Sequence, residues 1–174
     1  MSGSAGAGFV VRLTRRADVP LLADIERSAA SLFRETDRAW VADEAPTDAD
    51  CHIETIDAGL HWVAVLDEMP IGFLLAELAD DAIYVAELSV ARSHQRRGAG
   101  RLLMEAVERA ARDRGIQWVT LTTYRDLPWN APFYRRLGFP EPPDLPSHLV
   151  DNLRDQAAKG HDPALRCGMV KWLG

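Results

Sequence analysis

The chain has 174 residues, 47% hydrophobic and 26% charged, with a formal net charge of −6. That length closes a core without staples, and the acidic balance argues against general nucleic-acid affinity, because phosphates need a basic surface. No apolar run approaches the roughly 18 residues of a membrane span, and Cys51 and Cys167 match no metal-binding spacing, so free thiols in a cytoplasmic protein are expected.

Residues 1–8 are small, without a basic start or apolar h-region, and read as a flexible leader to a single domain at 9–174. Residues 9–14 predict a short strand. Asp18 is placed to cap the next helix, with Pro20 in its first turn. Leu21, Leu22, Ile25, Ala29 and Leu32 give that helix an apolar stripe to about residue 33. A second helix is expected over 47–58, stopped by Gly59. Strands at 61–66, 71–78 and 82–90, parted by polar turns at 67–70 and Asp80-Asp81, predict an antiparallel meander.

Helical periodicity then runs over 98–114 and ends at Gly115, with Glu105–Arg109 and Glu108–Arg112 as i, i+4 pairs. Residues 116–123 form a strand apolar on both faces, hence central, reached by a parallel crossover. A short helix at 131–137, an irregular stretch with four prolines at 139–146, a helix at 147–159 and a terminal strand at 165–173 follow. The fold class is α/β (α+β): a mixed sheet, partly antiparallel and partly parallel, with helices on both faces.

Chemistry concentrates at Gln95-Arg96-Arg97-Gly98-Ala99-Gly100-Arg101, between a strand and a helix. Glycines let backbone approach a ligand, and the first N–H groups of a helix are free to face it. From Ala91 to Arg101 there are four arginines and a histidine but no acid, a reversal that favours a polyanion such as a pyrophosphate. A plain tight turn with a solvated basic face is the alternative. A dinucleotide fingerprint fits less well, since its third glycine would fall at Leu103, and no Walker lysine follows.

Leu88-Ser89-Val90, the 95–100 turn and Leu102-Leu103 resemble the Q/R-x-x-G-x-G/A motif of the GNAT superfamily of N-acetyltransferases. Pro128-Trp129-Asn130-Ala131-Pro132-Phe133-Tyr134, with Leu137-Gly138-Phe139 after it, resembles that family's second signature, and the element order is similar over residues 10–139. The resemblance implies acetyl-CoA as cosubstrate, its pyrophosphate on the backbone amides of Arg96 to Arg101 behind Gln95. The pantetheine arm would pair with Leu88, Ser89 and Val90. Asn130 and Phe133 would border the pantetheine or thiol region, with Phe133 also a core aromatic, and Tyr134 would stand near the sulfur. Arg92 departs from a frequent proline without touching this logic.

Acetylating an amine needs a neutral nucleophile and a proton for the departing thiolate, while a lysine-like amine, with pKa about 10.4, is almost wholly protonated at pH 7. Tyr134 is the candidate acid. Glu87 is the candidate base, because alternation sets it on one strand face with Ile83, Val85 and Ser89, an apolar setting expected to raise its pKa. Tyr84, His61 and Tyr124 are weaker candidates. Acids from Asp37 to Asp57, with Arg38 the only basic residue among them, form either a wall that attracts a cationic acceptor or a solvated face. No His/Asp/Glu group has metal-ligand spacing.

The sequence therefore predicts acetyl transfer to a small-molecule or peptide amine in a ternary complex. No nucleic-acid or membrane partner is expected, and a homodimer through the terminal strand is open to it. A non-catalytic acyl-CoA-binding regulator on the same fold is the alternative.

Overall fold

The computed structural model describes residues 8–174, so the expected leader lies outside the described residues apart from Gly8. Among the described residues six strands form one sheet in the order β1-β2-β3-β4-β5-β6. They are β1 Val10–Leu13, β2 His61–Leu66, β3 Met69–Ala79, β4 Ala82–Val90, β5 Trp118–Tyr124 and β6 Arg166–Trp172. The flanking helices are α1 Val19–Ala30, α2 Ala49–Asp57, α3 Ala99–Asp113, α4 Ala131–Arg136 and α5 Ser147–Ala158. Pairs β1–β2, β2–β3 and β5–β6 are antiparallel and β4–β5 is parallel, the mixed sheet expected. The chain divides into two compact units, one holding the described residues to Ala76 with Glu87–Val107, the other Glu77–Ala86 with Glu108–Gly174.

In the first unit Asp18 does something other than cap α1. It ends a 3-10 turn, Arg16–Asp18, and makes no side-chain cap bond to the helix that follows. Its carboxylate accepts from Arg15 N at 2.8 Å and from both terminal nitrogens of Arg12 at 2.8 and 3.0 Å. A planar guanidinium suits this two-pronged contact, which pins the strand-to-helix corner and, with Arg12 the main cause, lowers the Asp18 pKa. Helix α1 stops at Ala30, short of the expected residue 33, and continues as a 3-10 turn, Ser31–Glu35. There the Ser31 hydroxyl donates to Ser28 O at 2.6 Å, an alternative to the helical ladder. Leu22 and Ile25 are buried, whereas Leu21 is 40% exposed and lies off the stripe.

Helix α2 begins where Asp48 Oδ1 accepts from Cys51 N at 2.8 Å and ends before Gly59, whose φ of +68° suits a left-handed stop. Asp67 and Glu68 both have positive φ, the twist a two-residue hairpin needs, so β3 starts at Met69 rather than 71. Pro70 faces Val65 where the register shifts between Ala64 and Val65, one of the few places a strand tolerates proline.

In the second unit β5 pairs with β4 from Ala82↔Trp118 to Val85↔Leu121, and with β6 from Trp118↔Trp172 to Tyr124↔Arg166. Its central position matches the expectation, but its faces do not. Val119 and Leu121 are apolar and buried, while the alternate residues Thr120, Thr122 and Tyr124 form a polar face. Hydroxyls satisfied by partners make that burial tolerable. Tyr84 OH lies 3.1 Å from Thr122 Oγ1, which also accepts from Gln156 Nε2 of α5 at 2.9 Å. Gly168 lets α5 come close, since a Cβ there would lie 2.7 Å from Leu145 Cδ2 and 3.1 Å from Leu149 Cδ1.

Of the two expected helix pairs, Glu108–Arg112 stands at 3.8 Å, but Glu108 is mainly held by Lys171 Nζ at 2.8 Å. Glu105 takes Arg101, one turn earlier, at 2.9 Å. Neither cysteine forms a disulfide; the Cys167 thiol is pushed up to about 12 by burial, then by a hydrogen bond to Glu141 and that carboxylate's charge. Among the described residues no helix is long and apolar enough to cross a membrane.

Candidate active site

The first unit carries the end of β4 and the turn after it. Glu87 is half-buried, and buried Ser89 donates its hydroxyl to Glu87 Oε1 at 2.7 Å, so the alternation that put them on one face holds. Leu88 and Val90 are also half-buried. Beside this segment β3 runs close: a Cβ on Gly72 would meet Ser89 O at 3.0 Å and Val90 Cγ2 at 3.1 Å, and Ala91 N donates to Ile71 O at 2.8 Å. Gly72 was not among the predicted residues, and a lone glycine in a strand is the signal that could have found it.

The turn itself is built from backbone. The Gln95 side chain donates to Val90 O at 2.9 Å, so it fastens the turn rather than reaching outward. Arg96 is left-handed at φ +60° and Gly98 lies at φ +94°, with no heavy atom within 4 Å of where its Cβ would be. Left-handed residues alternating with ordinary ones converge N–H groups into an anion-sized nest. Helix α3 opens at Ala99, and Leu102 N is taken by Gly98 O, leaving the N–H groups of Ala99, Gly100 and Arg101 ahead of the helical ladder.

The basic side chains contribute less than their number suggests. Arg92 pairs with Glu35, Arg101 with Glu105, and the Arg97 guanidinium lies 5.3 Å from the centre of the Phe9 ring. The charge reversal along the sequence is thus partly cancelled by acids from elsewhere. Arg96 and Gly98 are exposed, Gly100 is half-buried and Ala99 is buried.

The second unit carries the other predicted group. Asn130 sits at the N-cap of α4 with φ −107° and ψ −115°, and its backbone O accepts from Tyr134 N at 3.2 Å. Its side-chain Oδ1 is buried with no hydrogen-bond partner among the described residues. An orphaned buried acceptor calls for a donor from outside the chain. Tyr134 is 8% exposed, held edge-on by Phe133 at 5.0 Å and Phe139 at 6.2 Å between ring centres. Phe133 is half-buried. Gly138, at φ +88°, turns the chain after the helix. The amide groups of a pantetheine arm fit the Asn130 acceptor, and a pyrophosphate fits the Arg96–Arg101 nest.

The weaker candidates are core groups. His61 is fully buried between Thr14 Oγ1 (2.7 Å from its Nδ1) and His52 Nδ1 (2.9 Å from its Nε2), and burial pushes its pKa down to about 3. Tyr84 is bound to Thr122, and Tyr124 OH lies 2.5 Å from His161 Nδ1. The acidic stretch is largely spent on local structure. Asp37, Asp43 and Asp57 pair with Arg38, Arg34 and Arg16, and Asp48 caps α2.

Residues 25–139 match the model of the acetyltransferase (GNAT) family. Among solved structures, the fold is similar to PaiA N-acetyltransferase from Thermoplasma acidophilum in complex with coenzyme A, with a TM-score of 0.69 at 16% identity, covering 94% of this chain and 98% of that one. Ard1 from Thermoplasma volcanium is similar at TM-score 0.69 and 19% identity, covering 97% and 99%. The ribosomal-protein-S18-alanine N-acetyltransferase of Escherichia coli is similar at TM-score 0.63 and 16% identity, covering 95% and 94%.

Proposed function

Since the chain belongs to the acetyltransferase (GNAT) family, with both signature regions inside the matched residues, we propose that it moves the acetyl group of acetyl-CoA directly onto an amine of a small molecule or peptide. The observation that carries this reading is the backbone nest at Arg96–Arg101 opening into the first turn of α3. The orphaned Asn130 acceptor supports it independently. The names of the neighbours, N-acetyltransferases of PaiA type and of a ribosomal protein's alanine, support an amine as acceptor. In this reading residues 9–174 act as one domain, and two cysteines kept as thiols rather than joined in a disulfide support a cytoplasmic setting.

Acetyl-CoA supplies the activated thioester. The N–H groups of Arg96–Arg101 hold its pyrophosphate, and the backbone of Leu88–Val90, just before that turn, serves the pantetheine arm. Glu87 takes a proton from the acceptor ammonium, directly or through water. The neutral nitrogen then forms the N–C bond as the C–S bond breaks, Tyr134 gives its phenolic proton to the departing sulfur, and the second proton shed by the acylated nitrogen restores the phenol through water. Both side chains are set for such roles by their surroundings: Glu87 is oriented by Ser89 and Tyr134 by two rings.

A panel of primary amines and peptides, read by thiol release from acetyl-CoA, tests the proposal. Acceptor-dependent release supports it. Tight acetyl-CoA binding without release by any amine would instead mark a regulator on the same fold.

A further inference from the structure

The second unit contains a cavity of about 280 Å³ that the acetyl-transfer reading does not use. It opens at the start of β4 and β5, beside Ala82 and Trp118, whereas α4 with Tyr134 follows the other end of β5. At its base Thr120 Oγ1 lies 2.8 Å from His148 Nε2, and His148 Nδ1 lies 3.3 Å from Asp80 Oδ2. Hydroxyl, imidazole and carboxylate in that order form the usual relay of a nucleophile. Here the relay lacks what acyl chemistry needs. Thr120 sits mid-strand, laddered to Tyr84 on one side and Val170 on the other, so its neighbouring N–H groups serve the sheet rather than an oxyanion.

What the relay does is fix a buried hydroxyl. Whichever atom donates in the Thr120–His148 contact, Thr120 Oγ1 keeps at least one lone pair. Exposed Asp81 and Asp144 add carboxylates at the mouth, and no lysine or arginine lines the cavity. Trp118 contributes its ring, 6.5 Å from that of Trp172, and Ala82 and Val170 form an apolar floor. Acceptors, negative charge and an indole face match a cation bearing N–H donors. The volume, near the lower bound for ligand pockets, limits it to a small one.

We propose that this cavity binds a small organic cation with N–H donors, a primary ammonium or a guanidinium, at a site separate from the acetyl-transfer chemistry. Its alkyl part packs on Ala82 and Val170, its charge faces Asp81 and Asp144, and one N–H reaches Thr120.

The test is a titration of the full chain with butylammonium, followed through the indole N–H signal of Trp118 by NMR, with saturating coenzyme A, which carries no acetyl group to transfer, present throughout. The signal is assigned with Trp118→Phe. Saturable shifts are expected, weakened about tenfold in Asp81→Asn/Asp144→Asn and several-fold in Thr120→Val. Butanol, of the same shape but uncharged, should leave the signal unmoved, and tetramethylammonium, which cannot donate, should bind more weakly. Equal response to butanol, or affinity unchanged in the double variant, overturns the proposal. Tetramethylammonium binding as well as butylammonium overturns the hydrogen-bonded part. If a variant does not fold, the wild type still decides, because binding must weaken as salt rises. None of these readouts depends on turnover, so this proposal and the acetyl-transfer reading can fail separately.

Discussion

The hydroxyl of Ser89 donates to Glu87 Oε1 at 2.7 Å, joining the first buried residue of the β4 end to the carboxylate two positions before it. A carboxylate held this way is fixed in orientation, as a base working on a positioned amine needs. Glu87→Gln should therefore bind acetyl-CoA normally and lose rate at neutral pH by about 10²-fold or more, recovering part of it at alkaline pH where the amine is already neutral. Ser89→Ala removes only the orientation and should cost less than Glu87→Gln. pH–rate profiles of the three proteins with one acceptor check this ordering; parallel profiles of similar height would remove Glu87 from the mechanism.

Tyr134→Phe keeps the ring that packs on Phe133 and Phe139 but removes the proton. Turnover should fall by about 10²–10⁴ with coenzyme A affinity little changed. Steady-state rates beside calorimetric binding separate the two effects, and near-normal turnover would reduce Tyr134 to a packing residue.

The nest and the strand beside the end of β4 give a prediction about binding alone. Gly100→Glu should abolish coenzyme A binding through bulk and like charge in the turn. Gly72→Ala should weaken it several-fold, because the added carbon presses on Ser89 O at 3.0 Å and Val90 Cγ2 at 3.1 Å. Calorimetry on folded variants measures both, and wild-type affinity in Gly100→Glu would mean that the pyrophosphate binds elsewhere.

His61 sets a pH dependence of stability. Its folded pKa is pushed down to about 3 by burial, and burial lowers that of its neighbour His52 too. The folded state thus keeps the ring neutral while the unfolded chain protonates it below about pH 6.5. Stability from this group is whole above that pH and is lost as pH falls towards about 3, amounting to about 1.4 kcal/mol already at pH 5.5. Asp18 acts in a lower window: its depressed pKa protects stability above the ordinary carboxylate range and loses it below. Urea unfolding at pH 7.5 and 5.5 should show the loss in the wild type and a shallower dependence in His61→Gln. Equal slopes would contradict the assignment.

Most elements were legible because apolar runs and turn residues agreed. Strand β4 could be read to the residue, and glycines 59, 115 and 138 stop helices in left-handed conformations as expected. What the sequence hid involves partners brought in from other elements of the fold. Nothing local tells that Arg12 will claim Asp18 from its expected cap, or that Glu35, 57 positions away, will neutralise Arg92. The threonines of β5 read as strand formers on either face, so the polar seam against α5 emerges only once Tyr84, Gln156 and His148 arrive there. In the candidate site, alternation revealed Glu87 beside Ser89, while the orphaned Asn130 oxygen needed coordinates.

The central claim is direct transfer of acetyl from acetyl-CoA to an amine, and the measurement closest to it follows the acetyl group itself. The protein is mixed with acetyl-labelled acetyl-CoA and the best acceptor from the amine panel, and label is counted on the amine and on the protein. The account predicts acetylated amine and free coenzyme A in equal amounts, with no label retained by the protein. Acetyl-CoA left intact on the protein, or label accumulating on a side chain before it reaches the amine, would contradict it.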